Sequence, residues 1–302
     1  MTHLTRQSRK VLLALTGALA MVGADPAMAA PAALPDMAVA PQYDTTHVYV
    51  APADVDAFVR SFTATFGGAS TPQGIATVTP TPSSTSTQLV QTPAGTVSLF
   101  GFRTPIPWPF GAERTGWLVK DMDAAIASAR AGGAEVIVST FPDPIGRDAV
   151  IAWPGGVTMQ LYWHTTPPHY APYATLPENR VYVSADRADA FVKSFSRFAH
   201  ARMVSEDRAA PGVEIGKPNA TYRRIRLSSS FGLVTVLVTD GKLPWPYGRE
   251  ITGYTVTDLT ATLAKATASG AKVIVEPYTS GERSAAFVEF PGGYIAEIHA
   301  SK

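Results

Sequence analysis

The chain of 302 residues contains no cysteine. This absence excludes disulfides, thiolate chemistry, zinc sites built on cysteine, and lipoprotein-type export, which needs a cysteine to acylate. Charge is also scarce, since charged residues make up 16% of the chain and the formal net charge is +1. The sequence has no basic stripe that would match a phosphate backbone, so we expect no nucleic acid partner.

Long apolar runs are missing as well. The apolar run 11–23 follows a basic start and precedes Ala27-Met-Ala29, whose small residues suit a cleavage site. A membrane span needs ~20 apolar residues, so this run is too short for the alternative of an uncleaved anchor. The three parts predict a secretory signal peptide cleaved near Ala29. We therefore expect a periplasmic or secreted protein with no membrane association after signal removal.

One stretch of the chain is written twice. Residues 106–138 read IPWPFGAERTGWLVKDMDAAIASARAGGAEVIV, and residues 243–275 read LPWPYGREITGYTVTDLTATLAKATASGAKVIV. The two copies keep most of their proline, glycine and aspartate positions in register. Chance does not produce so many matches in register, so the chain is a tandem repeat of one structural unit.

Both copies extend in each direction. His47-Val-Tyr-Val matches Arg180-Val-Tyr-Val upstream, and Trp153-Pro-Gly-Gly matches Phe290-Pro-Gly-Gly downstream. The apolar periodicity predicts the order β-α-β-β-β twice in each copy. Hydrophobic residues form 46% of the chain, which suffices for two packed cores of ordinary domain size. The predicted organisation is a signal peptide at 1–29, a linker at 30–45, a first domain at 46–164, a second linker at 165–178 and a second domain at 179–301.

Two motifs recur in these modules. A T-G-[WY]-x-V-x-D strand leads into a helix at 115–121 and 252–258, and a closing strand reads [FW]-P-G-G-x-x-x-[QE] at 153–160 and 290–297. In this order the motifs resemble the vicinal oxygen chelate superfamily, which includes glyoxalase I, bleomycin-resistance proteins and extradiol dioxygenases. The resemblance implies an α+β fold in which paired β-α-β-β-β modules form cupped half-barrels, with two such glyoxalase-like domains in tandem.

The same resemblance implies where a metal would bind. In the family, a divalent metal, when present, sits in the cup on residues of the first and last strands of each module. Applied to this sequence, the family pattern makes His47, Gln160 and Glu297 the candidate metal ligands. The metal would be Zn, Ni, Mn or Fe; the alternative is that no metal binds. Glu297 and His299 are two apart on one strand and face the same side, so they are the catalytic candidates. Two structural alternatives stay open. In one, Glu297 and His299 form a buried pair whose hydrogen bonds are satisfied within the protein, and in the other His47 has a structural role only.

Arginine occupies two further positions where the family has ligands, Arg114 and Arg180. Arginine is always protonated and supplies no lone pair to a metal, so neither domain shows a full ligand set. A buried arginine needs a partner. We expect Arg180 to pair with Glu297 or with an anionic ligand such as a carboxylate. Tyr49, Arg114 and Arg180 are therefore the candidate ligand-binding residues.

Two pairs of repeated residues are expected to be structural. Trp108 and Trp245 lie in the proline-rich segments, where they are predicted to bury their rings as a clasp. Glu113 and Glu250 adjoin positions assigned to the cup, and neighbours on a strand face opposite ways. We therefore expect these two glutamates to face outward or to cap a loop.

Three functions stay open. The first is a metal-dependent enzyme with lyase, isomerase or dioxygenase chemistry of the glyoxalase type. The second is metal-free binding or sequestering of a small molecule, as in bleomycin-resistance proteins. The third is a structural tandem module without catalysis. A small organic molecule bound in a β-cup is common to the first two, and the tandem is expected to act as a monomer that forms its own pseudo-dimer, or as a homodimer.

Overall fold

The computed structural model of the protein describes residues 35–40, 42, 44–166 and 175–301. The predicted signal peptide lies outside these residues, as does much of the predicted linker 165–178. Among the helices of the described ranges, none is long and apolar enough to cross a membrane.

Four consecutive β-α-β-β-β modules make up the described chain. Module one contains β1 (Thr46–Val50), α1 (Val55–Phe66), β2 (Ala69–Ser70), β3 (Gly74–Ala76), β4 (Thr85–Thr92) and β5 (Gly95–Phe102). Module two contains β6 (Gly116–Leu118), α2 (Met122–Gly132), β7 (Glu135–Asp143), β8 (Gly146–Trp153) and β9 (Val157–His164). Module three contains β10 (Glu178–Ser184), α3 (Ala188–Ala199), β11 (Arg202–Pro211), β12 (Thr221–Ser229) and β13 (Gly232–Thr239). Module four contains β14 (Ile251–Thr255), α4 (Leu259–Ala268), β15 (Lys272–Ser280), β16 (Arg283–Phe290) and β17 (Tyr294–Ser301).

Every module has the same strand arrangement. Its first strand pairs in parallel with its last strand, and the last strand pairs antiparallel with the one before it. In the second half of the chain, residues 178–301, β10 also pairs antiparallel with β14, which joins modules three and four into one eight-stranded sheet. In the first half, residues 46–164, modules one and two keep separate sheets of five and four strands.

The repeated aspartate of the T-G-[WY]-x-V-x-D motif has a structural explanation. The carboxylate of Asp121 accepts a hydrogen bond of 2.8 Å from the Ala124 amide, and Asp258 accepts one of 2.9 Å from the Ala261 amide. Each aspartate is thus the N-cap of its module's helix, where it satisfies an amide that has no partner within the helix. The motif marks the point where the strand ends and the helix begins.

Alternation along the strands separates the core from the concave face. Val48 and Val50 of β1 are buried in the core beneath α1, while His47 and Tyr49 point to the other side. On α1, Phe58 and Phe62 lie four residues apart and stack with ring centroids 5.2 Å apart. The helices therefore cover one face of the sheets and leave the concave face to polar residues.

The two large cores are each shared between the halves of the chain. Phe62 of module one packs on Phe290 of module four, with ring centroids 5.2 Å apart. Trp153 of module two packs on Phe198 of module three, also at 5.2 Å. The chain does form two principal cores, but each of them links a module of one half to a module of the other.

The two repeated tryptophans are exposed, so the prediction that they form a buried clasp is wrong. The exposed fraction is 74% for Trp108 and 60% for Trp245. The aromatic residue two positions later takes the inward place instead. Phe110 packs on Phe141 with centroids 5.8 Å apart, and its counterpart Tyr247 packs on Phe287 at 5.0 Å. The sequence pattern could not show which ring of each segment would turn inward.

The segment before β1, predicted as a linker, lies along β6 where the structure describes it. The Val39 amide donates to the Leu118 carbonyl at 3.1 Å, and the Gln42 side chain bonds both the amide and the carbonyl of Leu118 at 2.9 and 2.8 Å. Met37 and Ala38 are buried in the core that modules two and three share. The path of this segment places Asp44 on the concave face of the first half.

Candidate functional site

The concave face of the first half holds a cavity of about 680 Å³, which we call the cup. Its wall is formed by the segment before β1 and by residues of β1, β3, β4, β5, β8 and β9. His47 and Gln160, two of the residues singled out from the sequence, line it. The other candidates lie elsewhere: Tyr49 and Arg114 line a separate, small cavity, and Arg180, Glu297 and His299 belong to the second half.

Asp44 is a buried carboxylate at the junction of the two modules of the first half. One of its carboxylate oxygens accepts a hydrogen bond from the Ser98 hydroxyl, and its backbone carbonyl accepts one from the Tyr162 hydroxyl. Its other carboxylate oxygen, Oδ1, has no hydrogen-bond partner within the described ranges of the chain. Burial raises the pKa of Asp44 above its ordinary value, against the opposing effects of His47 and Ser98.

Asp148 on β8 is a second buried carboxyl in the cup, with 5% of its surface exposed. It forms no hydrogen bond and no ion pair within the described residues. Burial raises its pKa well above the ordinary value, and repulsion from Asp143, Asp44 and Glu113 raises it further.

His47 is held by the glutamate that was expected to face outward. Glu113 is fully buried. It accepts a hydrogen bond from the Tyr49 hydroxyl and lies 3.3 Å from Nδ1 of His47. The prediction for Glu113 is wrong because the chain is not yet in a strand at this position: β6 begins only at Gly116, so strand alternation does not apply.

Glu250 is likewise turned inward, again against the prediction. It accepts a hydrogen bond from the Thr115 hydroxyl and lines a small cavity of about 30 Å³ with Arg114 and Tyr49. Burial raises the pKa of Glu250 to about 7, although Thr115 and Arg114 oppose the shift. The Arg114 guanidinium lies 5.4 Å from the centre of the Tyr49 ring, a cation–π distance. This cavity has room for about one water molecule and not for an organic ligand.

The concave face of the second half is filled by charged side chains. Five residues, which we call the ion cluster, meet there: Glu178, Arg180, Arg283, Glu297 and His299. Nη1 of Arg180 lies 3.5 Å from Glu297 and 3.6 Å from Glu178, so the predicted pairing of Arg180 with Glu297 is present. Two carboxylates and two guanidiniums balance in charge.

Arg283 makes the shorter contacts of the cluster. Its Nη2 lies 2.5 Å from Oε2 of Glu297 and 2.9 Å from Nδ1 of His299, and its Nη1 lies 2.6 Å from Oε2 of Glu178. Burial alone would raise the pKa of Glu178, but Arg283 and Arg180 hold it to about 2. The same two arginines hold the pKa of Glu297 far below its ordinary value against the effect of burial. Both carboxylates are thus ionised and paired.

A divalent metal in this arrangement would compete with the guanidinium of Arg283. Among the described His, Asp and Glu residues, one group of three brings its ligand atoms within 4.8 Å of one another: Glu178, Glu297 and His299. Arg283 already donates to ligand atoms of all three residues, so a metal would have to compete with this guanidinium for their lone pairs. The metal candidates His47 and Gln160 lie in the other half, and His47 belongs to no such group of three among the described residues.

Several site residues were missed from the sequence. Asp44 stands in the segment 30–45, which is predicted to be a linker, and Asp148 belongs to neither of the two recurring motifs. Arg283 and Glu178 have no charged counterpart in the other copy, where Gly146 and Thr45 stand. The repeat makes the residues that both copies share recognisable in the sequence. The charged residues that distinguish the two concave faces occur in one copy only and are not recognisable in this way. A polar residue on an otherwise apolar buried strand was the one signal available for Asp148.

No protein-family model matches the sequence, and no curated protein matches it. Solved structures do match the fold. A variant of 4-hydroxymandelate synthase from Streptomyces coelicolor gives a TM-score of 0.56 at 12% identity, over 89% of this chain and 93% of that one. The 2,3-dioxygenase LapB from Pseudomonas sp. KL28 gives 0.53 at 12% identity, over 88% and 93%. The Mn(II)-bound glyoxalase from Novosphingobium aromaticivorans gives 0.50 at 13% identity, over 86% and 82%.

These proteins belong to the superfamily that the two sequence motifs indicated. They share with this chain a mixed α+β architecture of curled sheets built from β-α-β-β-β modules. At identities of 12–13% the likeness concerns the fold alone. The protein therefore has the fold of the vicinal oxygen chelate superfamily, as its motifs predicted.

Proposed function

We propose that this is an exported binding protein that holds a small organic molecule in the cup of its first half without the help of a metal. The observation that carries the proposal is the cavity of about 680 Å³, whose wall holds the buried residue Asp148 and Oδ1 of Asp44, an oxygen without a hydrogen-bond partner among the described residues. Pockets that hold drug-sized ligands measure about 300–1,000 Å³. Unsatisfied buried polar groups are costly, and a ligand that bonds them recovers that cost.

The second half then has a structural role. Its concave face, where the fold would place a second ligand, is occupied by the ion cluster. Arg180 and Glu297 are both buried there and form an ion pair of 3.5 Å, although Nε and Nη2 of Arg180 have no hydrogen-bond partner among the described residues. A buried cluster of this kind excludes a ligand and fixes the relative positions of β10, β16 and β17.

Export and a monomeric state complete the proposal. The basic start, the short apolar run and Ala27-Met-Ala29 support export into the periplasm or the medium. The cores shared between the halves support a monomer that contains its own pseudo-dimer.

A metal-dependent enzyme is the second candidate. It is supported by the closeness of Glu178, Glu297 and His299, and by the printed names of the structural neighbours, which include a Mn(II)-bound glyoxalase and a dioxygenase. The two arginines of the ion cluster argue against it, because they already supply the positive charge that a divalent cation would bring. Metal analysis of the exported protein separates the candidates: a stoichiometric, tightly held metal would support the enzyme and overturn metal-free binding.

The binding proposal itself is tested by filling the cup. Ala76 on β3 lines the cavity, and replacing it by tryptophan, Ala76→Trp, would occupy much of the space. Val204 on β11 is exposed on the corresponding edge strand of the second half and offers a matched control, Val204→Trp. Fragment screening by ligand-observed NMR should find binders of the parent protein and of the control that the Ala76→Trp protein no longer binds. Equal binding to all three proteins would place the binding outside the cup and overturn the proposal.

A further inference from the structure

We propose that the ligand of the cup carries a protonated amine next to an aromatic or other apolar part. This inference rests on the proposed function and specifies its ligand class. It concerns a site different from the ion cluster and depends on neither metal nor catalysis.

The charges on the wall of the cup are all of one sign. Three aspartates line the cavity, Asp44, Asp143 and Asp148, and no lysine or arginine from the described chain does so. The remaining titratable groups of the lining are His47, His164 and Tyr162. Burial lowers the pKa of His164 to about 4, so this imidazole is neutral at pH 7. An anionic ligand would enter this wall without a fixed positive charge to meet it, which is unfavourable in a buried site.

Asp148 is the group that a cation would bond. Its carboxyl is 95% buried, lines the cavity and has no hydrogen-bond or ion-pair partner in the described part of the chain, whereas Asp143 accepts a 3.2 Å bond from the Ile145 amide. A buried carboxyl without a partner is destabilising by itself and gains most from a donor supplied by a ligand. An ammonium group is a compact donor of three hydrogen bonds and carries the opposite charge.

Aromatic rings stand in the same wall. Phe100 lines the cavity and meets the His47 ring edge-on, with ring centroids 5.4 Å apart, and Tyr162 lies directly opposite Asp148 in the β8–β9 pairing. The faces of aromatic rings attract cations, and their area buries the apolar part of a ligand. Acidic and aromatic groups in one cavity are the combination that suits an arylalkylamine.

Three compounds that share an indole ring make the test. Tryptamine ends in an ammonium group, tryptophol in a hydroxyl and indole-3-acetate in a carboxylate. We expect the exported protein to bind tryptamine more tightly than tryptophol by at least about ten-fold, because a charged partner meets Asp148. We expect indole-3-acetate to bind least tightly. Titration calorimetry at pH 7 measures all three.

The variant Asp148→Asn keeps the shape of the side chain and removes its charge. Tryptamine affinity should fall by about ten-fold or more, while tryptophol affinity should stay within about three-fold. Asp186→Asn, at an exposed position of the second half, is the matched control and should change neither affinity.

Each outcome decides the inference. Equal or tighter binding of tryptophol or indole-3-acetate would overturn the ligand class and leave the binding function standing. Failure of all three compounds, together with fragments that bind the parent and not the Ala76→Trp protein, would also overturn the class alone. Failure of all three with no fragment displaced by Ala76→Trp would overturn the proposed function as well.

Discussion

Nη2 of Arg283 lies 2.5 Å from Oε2 of Glu297, a carboxylate with no exposed surface. Removing one member of a buried ion pair leaves the other charge without compensation, at a cost of about 3–5 kcal/mol. We expect Arg283→Met to lower the free energy of unfolding by about 3 kcal/mol in urea denaturation. Arg208→Met is the control, because the Arg208 side chain is exposed and its pair with Glu206 should contribute less than about 1 kcal/mol. Equal effects of the two changes would contradict the role given to the ion cluster.

The same variant should acquire an affinity for metal. Without Arg283, the ligand atoms of Glu178, Glu297 and His299 remain within 4.8 Å of one another and have lost their closest cation. We expect Mn²⁺ or Zn²⁺ to raise the melting temperature of Arg283→Met and to leave that of the parent unchanged, both measured against EDTA. Adding Glu297→Gln to Arg283→Met should abolish the metal effect. A metal-dependent rise in the parent protein would show that the arginines do not exclude the ion.

Low pH should reduce the stability of the folded protein through its effect on the ion cluster. The pKa of Glu178 is about 2 in the folded protein, against an ordinary value of 4.5. A depressed carboxyl pKa adds stability that is complete above the unfolded value, so this contribution is lost as the pH falls from about 4.5 towards 2. In urea denaturation, Glu178→Gln should be less stable than the parent at pH 6, and the difference should shrink at pH 4 and pH 3. If the difference in stability between Glu178→Gln and the parent stayed constant with pH, the substitution would act through packing and not through charge.

Gly116 and His47 are in direct contact across modules one and two. A Cβ atom at position 116 would overlap Nε2 of His47, whose ring is held by Glu113 and Phe100 and cannot move aside freely. Gly116→Ala should therefore cost about 1–3 kcal/mol of unfolding free energy, as overpacking does. In the His47→Ala background the overlap is gone, and the same change should cost less by at least about 1 kcal/mol. Additive effects of the two changes would show that the ring does move.

The fold could be predicted from the sequence because its determinants are repeated. The N-cap aspartates, the proline–glycine turns and the alternation of β1 all occur twice, so each copy supported the interpretation of the other. The site could not be predicted in the same way. Asp148 and Arg283 stand where the other copy has Ala285 and Gly146, and their roles depend on which charges the folded chain brings opposite them.

The one site pairing that was predicted, Arg180 with Glu297, followed from a simple physical rule. A charge on the concave face of a strand needs a partner, and Glu297 was the nearest candidate in the matching module. The direction of the Glu113 side chain could not be predicted from the sequence, because this residue lies before β6 begins and no strand periodicity applies to it. Sequence periodicity predicted directions well inside the strands and failed in the segments that join them.

Because each of the two large cores is shared between the halves of the chain, neither copy of the repeat is a self-sufficient folding unit. A fragment that ended after β9 would leave the apolar faces of α1 and α2 in water, and a fragment that began at β10 would do the same with α3 and α4. Produced separately, the fragments should aggregate; produced together, they should reassemble through those faces. A chain with a single copy of the repeat would need a second polypeptide to bury the same surface.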